Sequence, residues 1–316
     1  VGGEKKPHIF GGGWTEVKLE AISDYLNFYN KALRYKPSPS SPFERWYIDA
    51  FAGSGTRSEH RSSGGLLEGR PIGKELITVA GSAQRALAVD PPFHRLVFIE
   101  GNQGRFRQLC ELRDAFPDRE IDCRNRDANT ELTGIFASPP WSSQVRGRGR
   151  HRAVAFLDPY GMGVKWQTLD MLAKTAAVDV WYLFPLNAVV RQLAHDMEAV
   201  DESKMMALSE IFGTTEWVTE LYQTEVSRDL FRTDHSKTRR IADQQQIEAY
   251  VKKRLETIFT YVSDPLPLLA DDSSLQKFSL FCATGSTSPY AVDLIKRGVK
   301  HVLKKYAPAS RRRSGP

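Results

Sequence analysis

The sequence is poor in cysteine: Cys110, Cys123 and Cys282 are the only three in 316 residues, and no CxxC pair occurs among them. That excludes a zinc knuckle and a secreted disulfide framework, and predicts reduced, structural thiols. The seven histidines show no HxxxH or HExxH spacing and no adjoining carboxylate pair, so no bound metal is expected. Long apolar runs are also missing. None approaches the roughly 18 residues that cross a bilayer, and the opening VGGEKKPHIF lacks the apolar stretch of a signal peptide. A soluble, cytoplasmic protein is the expectation. Neither Ser54 nor Ser286 has a partnered histidine at a recognisable spacing, which leaves a hydrolase without support. What is there is ample apolar material: at 41% hydrophobic residues over this length, one large or two average domains can bury a core. Disorder as the main state is excluded.

Lysine and arginine total 44 against 38 acids, a net charge of +6, and the excess is localised. Arg146, Arg148, Arg150 and Arg152 crowd an acid-free stretch (RGRGRHR), and Arg311, Arg312 and Arg313 form a second cluster. Without those seven, the remaining 37 basic residues balance the 38 acids. Glycine-spaced arginines suit a phosphate backbone, and suit a solvated, flexible connection equally well. The first alternative names nucleic acid as partner, with Arg146, Arg148 and Arg150 as substrate contacts.

Leu19, Ile22, Leu26, Tyr29 and Leu33 recur at steps of three and four, predicting an amphipathic first helix. Pro37, Pro39 and Pro42 then break the pattern. Four compact apolar runs follow: WYIDAF (46–51), RLVFIE (95–100), AVAFLDP (153–159) and VDVWYLFP (178–185), with a weaker one, EIDCRNRD (120–127), between the second and third. Such runs, separated by stretches able to hold helices, predict buried parallel strands. The expected fold is α/β, a Rossmann-like doubly wound, mostly parallel sheet. Residues 187–265 carry helical periodicity without a convincing strand and are expected as a helical insertion for target recognition or partner contact, interrupting a core of 1–186 and 266–316. KFSLFCATG (277–285) returns to strand character, and Ser288-Pro289 opens a final helix.

In YIDAFAGSGT (47–56) a strand runs straight into a Gly-x-Gly turn, where two glycines let the backbone pass close to a ligand. The third glycine of a dinucleotide fingerprint and the Gly-Lys-Ser/Thr of a phosphate loop are both absent. Asp49, four residues before Gly53, would attract the positive part of a cationic cofactor and repel a phosphate. Together with Ala50, Phe51 and Gly55, it resembles motif I of class I S-adenosylmethionine-dependent methyltransferases. The wording DAFAGSGT is similar to the form in enzymes that methylate exocyclic amino groups of bases. The alternative is a βα turn that binds another nucleotide, or nothing. Glu100 ends the second strand, where it can accept both ribose hydroxyls; Asp127, followed by Ala128, ends the third and can take the adenine amino group. Each acid alone reads equally as a helix cap.

The fourth strand delivers Leu157-Asp158-Pro159-Tyr160-Gly161. Exocyclic amines are poor nucleophiles, so methyl transfer benefits from a carboxylate and a carbonyl that accept the two N–H groups and hold the nitrogen in line. Asp158, the Pro159 carbonyl and a stacking Tyr160 are the right types. The segment resembles the Asp-Pro-Pro-Tyr motif of amino methyltransferases, with the second proline missing and the aromatic one position early. Its alternative is an aspartate capping the next helix.

Over most of residues 16–305, the opening helix, YIDAFAGSG, PPFHRLVFIE, RDAN, FLDPYGM and KFSLFCATGSTSPYAVDLIKRG resemble the three-Cys-motif partner proteins (TcmP). That resemblance implies S-adenosylmethionine as cofactor and a companion three-Cys-motif, radical-SAM-like protein as partner in modifying DNA or RNA. The rival expectation is a catalytically silent scaffold that binds nucleic acid and the companion. Residues 57–80 make an unusually long βα connection, expected either as a mobile segment bringing Arg57, His60, Arg61 and Arg70 to the substrate or as a surface hairpin. Arg228, Arg232, Lys237, Arg239 and Arg240 would form a basic face on the insertion, or lie on plain solvated helix.

Overall fold

The computed structural model describes residues 13–65, 70–146, 148–228, 234–269 and 275–307, by backbone alone over 56–79, 227–228 and 234–235. Eight strands form the central sheet: β1 (Glu44–Asp49), β2 (Arg95–Ile99), β3 (Ile121–Arg124), β4 (His151–Leu157), β5 (Val178–Phe184), β6 (Tyr261–Val262), β7 (Leu266–Leu269) and β8 (Gln276–Thr284). Their order is β3-β2-β1-β4-β5-β8, with β6 and β7 both pairing the far edge of β8. The first five are parallel, and β8 runs antiparallel to β5. The chain starts in the middle at β1, winds outward through β2 and β3, then returns to β4 on the other side of β1. The winding direction reverses between β1 and β4, where the carboxyl ends of a doubly wound sheet open a crevice for ligands. The mixed α/β, mostly parallel architecture expected from the apolar runs is what forms.

Both faces of this sheet are covered, and the strands divide their side chains between them with period two. Trp46, Ile48, Val97, Ile99, Ala153, Ala155, Val178 and Val180 point into one cluster, with α4 (Ala128–Ala137), α5 (Trp166–Thr175), α6 (Leu186–Gln192), α7 (Glu202–Phe212), α8 (Trp217–Leu221) and α9 (Gln244–Glu256). Tyr47, Leu96, Phe98, Val154, Phe156, Trp181 and Leu183 point into the other, with α1 (Gly13–Leu33), α2 (Ser82–Leu87), α3 (Gln103–Asp114) and α10 (Pro289–Tyr306). Helices α1 and α10 pack closely because Gly298 has no side chain: a Cβ there would lie 2.6 Å from Phe28.

Residues 187–265 are not purely helical. Tyr222–Arg228 and Asp234–Arg240 pair as an antiparallel hairpin, and the segment ends in sheet strand β6. The hairpin has no apolar alternation for a sequence reading to detect; Gln223 through Val226 are exposed. Its neighbours Trp217, Leu221, Tyr222, Ile247 and Leu255 join the same hydrophobic cluster as β5. The long connection after the Gly-x-Gly turn is likewise a hairpin, Thr56–Gly65 against Arg70–Ala80. Among the described residues no helix is long and apolar enough to cross a membrane.

Candidate active site

Asp49 is level with Phe98 on β2 and with Phe156 on β4, so Glu100 and Asp158, each two residues further on, emerge on either side of it. The turn after Asp49 is stitched to both neighbours: Ala50 N–H donates to the Phe156 carbonyl and Ala52 N–H to the Ile99 carbonyl, each at 3.0 Å. Gly53 and Gly55 follow at φ +63° and +77°, angles that other residues adopt only with strain. The two glycines serve different ends. A Cβ on Gly55 would meet Leu112 of α3 at 2.7 Å and Leu109 at 3.3 Å, whereas one on Gly53 meets nothing within 4 Å. Gly55 lets α3 close on the turn, and Gly53 faces open space. Gly55→Ala is therefore expected to cost about 1–3 kcal/mol of stability. Gly53→Ala should cost less stability, because its methyl would enter open space. Thermal unfolding of the two variants separates them, and equal losses would contradict the assignment.

Asp49 is fully buried, holding the Phe51 N–H at 3.3 Å, with the Tyr47 hydroxyl at 3.4 Å. Burial pushes its carboxyl up to about 7; the charge of Asp158 adds to the shift, while the Ser82 hydroxyl, the Phe51 amide and Lys18 oppose it. Asp49 exposes no surface and holds the Phe51 amide at the start of the turn.

Asp158 leaves the end of β4 with its side chain 26% exposed, and Oδ2 accepts from the Lys18 ammonium at 2.5 Å. Oδ1 has no hydrogen-bond partner among the described residues. Lys18 is 4% exposed, on α1, with its ammonium 5.2 Å from the Trp14 ring centre and 6.0 Å from that of Phe156. Sequence reasoning passed over it, though a signal existed: buried Thr15, Lys18, Ile22, Tyr25 and Tyr29 follow one helical stripe, and a lysine on an apolar stripe needs a partner. The loop beyond Asp158 is latched by buried Asn129 of α4. Its Nδ2 donates to the Gly163 carbonyl at 2.9 Å, and its Oδ1 accepts from Lys165 N at 3.0 Å and from the Thr168 hydroxyl at 2.8 Å. Phe51 packs beside this loop: a Cβ on Gly163 would be 3.6 Å from Pro159 and 3.9 Å from the Phe51 ring.

Glu100 is buried at 6% exposure; its Oε1 accepts from Asn102 N at 2.7 Å and forms an ion pair with the Arg105 guanidinium at 3.1 Å. The same guanidinium donates to the Tyr160 hydroxyl at 2.7 Å and lies 5.0 Å from the centre of its ring. Tyr160 itself is 56% exposed, on the rim of the crevice. Asp127 caps α4, its Oδ1 accepting from Thr130 N at 2.9 Å and from the Thr130 hydroxyl at 3.0 Å, and buried Ala128 opens the helix behind it. The capping role weighed for Asp127 is thus seen, at the strand end where the cofactor role also places it.

Arg146, Arg148 and Arg150 do not join these residues. They are exposed in the loop that enters β4, at the opposite edge of the sheet, a strand length of about 20 Å from Asp158. The sequence places them close to the FLDPYG motif along the chain, but β4 carries the chain across the whole sheet in between. Arg150 donates to the Pro42 carbonyl at 3.3 Å, and Arg152 lies 4.3 Å from the Phe43 ring centre. On the second hairpin, Lys237 and Arg239 pair with Asp196 at 3.3 and 3.4 Å. The side chains of Arg57, His60, Arg61, Arg70, Arg228 and Arg232, and the cluster Arg311 to Arg313, lie outside the described residues. Among those that are described, no three His, Cys, Asp or Glu gather to hold a metal ion.

No protein-family model matches the chain, and a comparison with curated proteins finds no match. Solved structures do resemble it. One is a Legionella pneumophila protein of the DUF519 family, 11% identical, covering 95% of this chain and 94% of that one at a TM-score of 0.50. Another is an S-adenosylmethionine-dependent methyltransferase from Clostridium acetobutylicum, 12% identical, covering 85% and 92% at a TM-score of 0.33. A third is TYW2 of M. jannaschii in complex with AdoMet, 13% identical, covering 74% and 79% at 0.26. The first shares the overall α/β fold; the other two are too distant in shape to argue from. The likeness to the three-Cys-motif partner proteins rests on the sequence motifs alone.

Proposed function

We propose that the chain is an S-adenosylmethionine-dependent methyltransferase acting on an exocyclic amino group of a base in DNA or RNA, beside a companion three-Cys-motif protein. The observation that carries this is Asp158, poised next to the Gly-x-Gly turn with one carboxylate oxygen gripped by Lys18 and the other without a partner among the described residues. The residues present fit the cofactor. Gly53 leaves room over the turn, Glu100 Oε2 has no protein partner among the described residues, and Asp49 sets a buried carboxyl beneath. Asp127 and Ala128 stand at the third strand end for the adenine. When bound, the cofactor supplies a methyl group made electrophilic by its sulfonium.

The chain's own residues then act on the acceptor amine. Asp158 Oδ1 and the Pro159 carbonyl accept its two N–H bonds, which directs the nitrogen lone pair toward the methyl and gives the departing proton a carboxylate to move to. Lys18 fixes which carboxylate oxygen faces the amine. Tyr160 borders the entrance, where a stacked base would meet it. Arg146, Arg148 and Arg150, at the far edge, can serve only a substrate long enough to span the sheet, which a polynucleotide is. The test is tritium transfer from labelled S-adenosylmethionine to total cellular nucleic acid, with and without the companion. Incorporation that is lost with raised salt is expected; no incorporation in either mixture overturns the assignment.

A silent scaffold is the second reading, favoured by the same contacts. Lys18 already satisfies one oxygen of Asp158, and Arg105 already occupies the Tyr160 hydroxyl. Calorimetry with S-adenosylmethionine separates the two, because a scaffold released from cofactor binding gives no saturable heat.

A further inference from the structure

We infer that Arg105 is a positioning residue that couples the cofactor's carboxylate to the aromatic at the acceptor entrance, so that Glu100 and Tyr160 respond to each other. This rests on the methyltransferase reading. One guanidinium in the first turn of α3 makes both contacts: to Glu100 Oε1 at 3.1 Å and to the Tyr160 hydroxyl at 2.7 Å, with the ring 5.0 Å away. Its Nε is buried without a hydrogen-bond partner among the described residues, and the side chain is 33% exposed.

The planar fork of arginine explains why one residue suffices, since its donors point in fixed, divergent directions. Asn102 N–H donates to Oε1 of Glu100 and the Arg105 charge pairs with the same oxygen, which leaves Oε2 as the face presented to the ribose hydroxyls. Pulling Arg105 toward Tyr160 orients that carboxylate, and pulling it toward Glu100 holds the phenol on the rim. Binding of the cofactor to Glu100 therefore steadies Tyr160, and the acceptor meets an ordered entrance only after the cofactor is in place.

The experiment is calorimetric titration of S-adenosylmethionine into the wild type, Arg105→Ala, Arg105→Lys, Tyr160→Phe and the double variants with Tyr160→Phe, each checked for a native thermal transition. Loss of the ion pair that orients the Glu100 carboxylate should weaken binding about tenfold in Arg105→Ala. Tyr160→Phe, which removes the hydroxyl that accepts from Arg105, should weaken it about threefold, and should weaken it less in the Arg105→Ala background. Arg105→Lys keeps the charge but not the fork, so it should recover part of the affinity while responding less to Tyr160→Phe than the wild type does. A merely structural arginine gives additive losses instead. Additive losses, or unchanged affinity in every variant, overturn the coupling and leave the methyltransferase reading intact. A wild type that binds no S-adenosylmethionine overturns both.

Discussion

Asp158→Asn is expected to lower methyl transfer by a factor of about 10²–10⁴ while leaving S-adenosylmethionine affinity within about twofold. Asparagine keeps the shape and one carbonyl oxygen, but it offers no base for the departing proton. It is also a better probe than alanine. Lys18 is 4% exposed, and truncating its partner strands a buried ammonium; breaking a buried pair from one side costs about 3–5 kcal/mol at its upper range. Asp158 is a quarter exposed, so the lower end applies, yet the loss would still confuse a folding defect with a chemical one. The asparagine carbonyl can keep accepting from Lys18. Equal turnover in the asparagine variant would remove Asp158 from the chemistry.

The second large effect is in the pH dependence of cofactor binding. Asp49, pushed up to about 7 chiefly by burial, is neutral in much of the ligand-free protein at slightly acid pH. A sulfonium above the turn favours the ionised carboxylate, so binding releases a proton whenever the solution is below that value. Affinity should fall about tenfold between pH 8 and pH 6, and Asp49→Asn should flatten the dependence. Stability of the ligand-free protein runs the other way. The unfolded carboxyl ionises near its ordinary 3.8, while the folded one resists ionisation up to about 7. The stability contributed by this group is thus fully present below 3.8 and is lost as pH rises through about 7. Calorimetry in buffers of different ionisation heat reads the released proton directly, and affinity that is flat or rises toward pH 6 contradicts the role given to Asp49.

The parts of the molecule that were legible in the sequence are those where burial writes an unbroken signal. The runs WYIDAF, RLVFIE, AVAFLDP and VDVWYLFP are strands because both faces of the sheet are covered, and every residue of β5 is buried. The carboxylates at their ends follow, since a doubly wound sheet presents the end of each parallel strand at one edge. The hairpin of Tyr222–Arg228 and Asp234–Arg240 was not legible, because neither strand carries an apolar alternation and residues 223–226 are exposed to water. The edge of the sheet that Arg146, Arg148 and Arg150 occupy was not legible either, because a cluster of charges says nothing about where its loop lies relative to the strand ends. Lys18 and Arg105 escaped because each acts across a long sequence separation, 140 residues to Asp158 and 55 to Tyr160. Only the placement of a lysine on the stripe of α1 hinted at the first.

A crystal structure of the protein soaked with S-adenosylhomocysteine puts the central claim at most direct risk. The expected result is the ligand bent over Gly53, its ribose hydroxyls on Oε2 of Glu100 and its sulfur within reach of the Asp158 loop. A ligand bound against any other part of the sheet, or a crevice that stays closed by the Arg105 and Lys18 contacts at saturating concentration, would contradict it.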